Sequence, residues 1–183
     1  MEMISVAPLK DKVNLYTNWQ AETEDISNIW ADIVCFCAEE CKSPLFSEMS
    51  ISETITAFPG ALSPFSIRQA NFEPNYEIAS QYYANSQFIE AAALLTESID
   101  MNGLSPRTLN LLGATYRLAN KPQLALPYLI LCFRMAPNTP YLAGNIALCL
   151  QQMKYTKIKQ AINFFLPYAK DSWSLEQLKA IKH

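Results

Sequence analysis

Three thiols, Cys35-x-Cys37-x-x-x-Cys41, come nearest to metal-ligand spacing in this chain of 183 residues. A structural zinc site needs four thiolate or imidazole donors converging as a tetrahedron. On a helix, Cys37 and Cys41 share a face while Cys35 points elsewhere, and the one His is the last residue, His183. The thiols are therefore read as small apolar side chains, and no metal is expected. The same shortage of imidazole leaves Ser–His and Cys–His nucleophilic catalysis without a base. No Walker loop, dinucleotide fingerprint, nucleophile elbow or H-E-x-x-H occurs, and four Gly in the whole chain leave no phosphate cradle. Glu39-Glu40 and Glu22-x-Glu24-Asp25 are read as exposed helix faces. No catalytic residue and no cofactor are assigned. The chain reads as a binding protein.

Composition narrows what it can bind. The net charge of −3 gives no reason to expect nucleic acid. Residues 1–77 carry twelve acids and four bases, residues 78–183 five acids and ten bases. That asymmetry suggests two functional zones, or an N-terminal region docking on its own basic half or on another copy, or two solvated faces of opposite bias. Five Cys, an odd number with no disulfide framework, fit a reducing compartment. The N-terminus has an acid at Glu2 and no sustained apolar run, so no secretory signal is read there. Apolar stretches such as Pro127–Phe133 fall far short of the ~20 residues of a membrane span. A cytoplasmic protein without membrane insertion is expected.

Internal periodicity sets the fold class. At a period of 34, Ile78-Ala79, Leu112-Gly113 and Ile146-Ala147 coincide, each a large residue followed by a small one. Tyr82, Tyr116 and Leu150 coincide three residues on, and Ala91, Ala125 and Ala161 nine residues further, the last displaced by two. Leu95, Leu129 and Phe165 follow each Ala by four, and Gly103 and Pro137 stand where a hairpin must end. This is the tetratricopeptide pattern, and it predicts an all-α fold of three helical hairpins over 72–105, 106–139 and 140–171. The small residues let helix A meet helix B closely, and no hairpin buries its apolar face alone, so the three must stack. The third copy holds two extra residues in the loop Met153–Thr156. Pro122 should open a helix, where its missing N–H costs nothing. Pro127 and Pro167 lie deeper and should kink their helices, at ~3 kcal/mol unless the bend relieves it.

Outside the hairpins, 1–71 is read as a helical extension with a Pro-containing linker, and 172–183 as a C-terminal capping helix. Ile26, Ile29, Trp30, Ile33, Cys37 and Cys41 fall at 3.6-residue spacing, and Ser43-Pro44 should end that helix. Ser50–Phe58 is read as a second short helix, with Ser50 and Glu53 spaced as a capping box. Pro59-Gly60 and Pro64 mark the linker, and the first fifteen residues are expected to be mobile. Ile26, Ile29, Trp30 and Ile33 are expected either to lid the concave face or to form a homodimer contact.

A three-hairpin stack has a concave groove lined mainly by the first helix of each hairpin. The outward positions there are Tyr76, Ser80 and Tyr83, then Asn110, Ala114 and Arg117, then Tyr141, Gly144, Leu148 and Gln151. This lining is aromatic and small with one charge, which suits an extended, largely apolar peptide. Tyr76 and Ser80 stand where a carboxylate clamp would need Lys and Asn. A scaffold or regulatory subunit binding a folded partner is the alternative.

The series Tyr76-x-x-Ala79-x-x-Tyr82-Tyr83, Phe88-x-x-Ala91, Leu112-Gly113-Ala114-x-x-Arg117 and Pro140 through Ala147-x-Cys149-Leu150-x-Gln152 resembles the class II chaperones of bacterial type III secretion. The resemblance covers about Tyr76 to Lys170. It implies a bacterial cytoplasmic chaperone whose groove holds a segment of a hydrophobic translocator, keeping it soluble before export. It also implies an N-terminal helical region able to mediate dimerisation, and groove aromatics at Tyr76, Tyr83 and Tyr141.

Overall fold

The computed structural model describes residues 24–43 and 73–182. The expected helix over Ser50–Phe58, the linker from Pro59 and the first fifteen residues lie outside them. Among the described residues there are eight α-helices and no strand. They are α1 (Glu24–Cys41), α2 (Pro74–Ala84), α3 (Phe88–Asn102), α4 (Pro106–Leu118), α5 (Pro122–Met135), α6 (Leu142–Gln152), α7 (Ile158–Phe165) and α8 (Ser172–Lys182). The fold is all-α.

Helix ends follow from local chemistry. Pro74, Pro106 and Pro122 each stand in the first turn of their helix, where a missing N–H breaks no bond. The first helix of each hairpin ends in one and the same closure. The amide of Gln87 donates to the carbonyl of Tyr82, Lys121 to Tyr116 and Tyr155 to Leu150; inside each, Ser86 donates to Tyr83, Asn120 to Arg117 and Lys154 to Gln151. These paired bonds satisfy carbonyls the helix end leaves open, and they require a left-handed residue between them. Ser86, Asn120 and Lys154 supply it, at φ of 60°, 58° and 57° and 34 residues apart. The 34-residue register is thus a backbone fact at three turns. The two extra residues of the third copy follow its turn: α7 begins at Ile158, where the register of Phe88 and Pro122 would have set residue 156.

Helices α2 and α3, α4 and α5, and α6 and α7 pack as successive hairpins, and α3 and α5 each also pack on the helix that follows. Helix α4 touches both α2 and α6, and α8 lies against α6 and α7. The small residues permit these approaches: Ala79, Ala91, Ala125, Ala147 and Ala161 are wholly buried. A Cβ on Gly113 would come within 2.4 Å of Leu129 in α5.

Trp30 and Ile33 of α1 are buried, and α1 packs on α5 and α7. Trp30 lies 5.2 Å from the ring of Phe133 and 6.0 Å from Phe164, centroid to centroid, in a cluster completed by Phe165 and Tyr168. Lys157 pairs with Asp32 beside it. Trp30 and Ile33, two of the positions where a lid or a dimer contact is expected, are both buried in this structure. Both are consumed by the intramolecular core, against second helices of the hairpins, away from the side formed by α2, α4 and α6. Ile29 is half-buried at its margin, and the side chain of Ile26 lies outside the described residues.

The two deep prolines behave differently. Pro127 is buried inside α5, which runs on to Met135. Pro167 kinks no helix interior, contrary to expectation: α7 ends at Phe165, and Pro167 sits in a 3-10 turn over Leu166–Tyr168.

Candidate functional site

Helix α4 forms the middle of a groove of about 890 Å³. Its face at i, i+3 and i+4 spacing presents Arg107, Asn110, Leu111, Ala114, Arg117 and Leu118. Tyr76 and Tyr83 from α2 stand on one flank; Tyr141 and Asn145 beside and within α6, with Trp173 from α8, stand on the other. Pro106, Thr139 and Pro140 complete the lining.

The floor is held by side-chain hydrogen bonds. Asn110 donates to the carbonyl of Pro140 at 2.8 Å, and Asn145 donates to Oδ1 of Asn110 at 3.4 Å. Arg117 donates through Nε to Oδ1 of Asn145 at 3.0 Å. Asn145 is buried, so these bonds replace the water it gave up on folding. Arg107 lies over the Tyr76 ring, 3.7 Å from its centroid, and pairs with Glu77 at 2.6 Å. Burial pushes the Tyr83 phenol above its ordinary value, against the pull of Arg117 and with the help of Tyr76. It stays neutral and able to donate.

The far wall depends on α8. Asp171 accepts the amide of Ser174 at 2.7 Å and so caps α8; its other oxygen accepts the amide of Tyr141 at 2.8 Å. Partial burial opposes the charge, but the donors from Ser174 and Tyr141 outweigh it and hold the Asp171 carboxyl below its ordinary value. Tyr141 is left-handed at φ 66°, a costly conformation for an aromatic residue, and its ring meets Trp173 edge-on at 5.9 Å. Gly144 makes room for that contact, since a Cβ there would lie 2.6 Å from Trp173.

Of the outward positions read from the sequence, Tyr76, Tyr83, Asn110, Ala114, Arg117 and Tyr141 come together in the lining. Ser80, Leu148 and Gln151 stand outside it, and Gly144 is buried beneath α8. Arg107, Leu111, Leu118, Asn145 and Trp173 line the groove without having been singled out. Arg107 was readable, one turn before Asn110 on the same stripe. Trp173 had no signal, because a terminal helix carries no register saying which neighbour its first turn will meet. Comparison with protein families, with curated proteins and with solved structures found no match. Among the described residues no group of His, Cys, Asp or Glu could hold a metal ion, and no helix is long and apolar enough to cross a membrane.

Proposed function

We propose that this protein is a binding module of tetratricopeptide type, and that it acts as a bacterial cytoplasmic secretion chaperone. Its groove holds an extended, mainly apolar segment of a secreted, translocator-like client, covering that segment until export. The observation that carries the reading is the groove itself: four aromatic rings, Tyr76, Tyr83, Tyr141 and Trp173, around a floor pinned by Asn110 and Asn145. Rings on both flanks suit alternate side chains of an extended chain, and the floor amides and the Tyr83 hydroxyl suit its backbone. The recurring turn at Ser86, Asn120 and Lys154 supports the repeat register, and the resemblance of Tyr76–Lys170 to class II chaperones supplies the client class.

Co-expression with a hydrophobic translocator encoded nearby tests this. The client should move from the insoluble to the soluble fraction and co-purify with the chaperone. Combining Tyr83→Ala with Tyr141→Ala should abolish the complex while leaving the helical spectrum intact. A client whose solubility ignores this protein, or a complex indifferent to both substitutions, would sink the reading.

A further inference from the structure

The two cations of the groove are not equivalent. Arg107 already has a carboxylate, Glu77, at 2.6 Å. Arg117 has none among the described residues; its one hydrogen bond goes from Nε to Asn145, leaving the four N–H groups of its two terminal nitrogens for a ligand. Asn145 is buried and tied to Asn110, so the guanidinium is positioned rather than free to swing. Its Cζ lies 6.0 Å from the centroid of the Trp173 ring, and among the described residues no acidic side chain lines the groove. A planar cationic fork, half-buried among aromatic rings, matches a carboxylate through two parallel hydrogen bonds, and the lowered local dielectric strengthens them.

We propose that the groove selects an extended apolar segment bearing an internal acidic side chain, Asp or Glu, received by Arg117. The proposal rests on the reading that the groove holds an extended chain, and deepens it by naming the residue that sets the register. An internal acid fits better than a chain terminus. Helix α4 lies between two aromatic flanks, Tyr76 and Tyr83 on one side and Tyr141 and Trp173 on the other. Only a chain running past Arg117 in both directions covers both flanks.

The test uses acetylated nine-residue peptides with flanks drawn from Leu, Phe, Pro and Ser, each made with an amidated and with a free C-terminus. The central residue is Asp, Glu, Asn, Gln or Lys, and binding to the full chain is followed by fluorescence anisotropy. Asp and Glu peptides should bind about tenfold tighter than their amide isosteres, with the gap narrowing as salt rises. Arg117→Gln should erase the preference; Lys159→Gln, the same loss of charge at an exposed position outside the groove lining, should leave it. Should Arg117→Gln melt early, Arg117→Lys keeps the charge without the fork and should weaken the preference only in part.

Equal binding of acid and amide peptides by the folded protein overturns the acidic selection and leaves the groove reading standing. Tight binding seen only with a free C-terminus replaces the internal acid by a terminal carboxylate. Absence of all peptide binding by a fully helical protein defeats the groove reading and this inference with it.

Discussion

Single backbone conformations set small but measurable stabilities here. Lys154 and Ser86 hold left-handed turn positions with side chains that gain nothing from them, whereas Asn120 tolerates that region better. Lys154→Gly and Ser86→Gly should each stabilise the protein by about 0.5–1 kcal/mol, and Asn120→Gly by less, read from urea midpoints at constant m. Equal gains at all three sites would contradict this account of the turns. Asp171 makes a pH prediction. Its folded pKa lies below the ordinary 3.8, so its stabilisation is complete above that value and is lost as pH falls through the folded pKa. Asn is also a good cap, so Asp171→Asn isolates the charge. Wild type should be the more stable at neutral pH, and the two should converge below 3.8; parallel pH curves would show that the charge contributes nothing.

At the scale of helices, two glycines report how close neighbours come. Gly113→Ala brings a Cβ to 2.4 Å from the Leu129 side chain, so overpacking by ~1–3 kcal/mol should outweigh the gain in helix propensity of roughly 1 kcal/mol. Adding Leu129→Ala should give a coupling of opposite sign, measurable in a double-mutant cycle. Gly144→Ala tests a different joint, that between α6 and α8. Its Cβ would meet Trp173 at 2.6 Å and the Ser174 backbone at 3.1 Å, so α8 must shift. Peptide affinity should fall more than stability does; an unchanged affinity would remove α8 from the groove wall. The 34-residue spacing of Leu112-Gly113 and Ala125 already announces the first contact, since hairpin partners are close in sequence. Nothing in residues 172–182 announces the second.

At the scale of the molecule, α1 belongs to the core. Trp30→Ala removes a wholly buried indole from between Phe133 and Phe164 and should cost about 3–5 kcal/mol. Peptide affinity per folded molecule should change little, because α1 packs on α5 and α7 while the groove is lined from α2, α4, α6 and α8. The amphipathic stripe at Ile29, Trp30 and Ile33 showed that this helix must bury a face. It could not show which surface receives it, because an apolar stripe specifies area and not a partner.

Periodicity alone determined the all-helical class, the hairpin register and most of the α4 face, since each depends on residues within one or two turns of one another. Proline and the small residues marked helix starts and close approaches for the same local reason. The tertiary structure decided the rest: that α1 completes the core, that α8 crosses Gly144 and carries Trp173 into the groove, and that Arg107 pairs with Glu77 while Arg117 is tied to Asn145. These are contacts between segments up to about 130 residues apart, and sequence spacing encodes no distance across such a gap. The odd residue of the chain shows the division well. Its composition announces that Pro127 must interrupt a helical bond, and only the packed molecule shows that α5 continues through it, buried, to Met135.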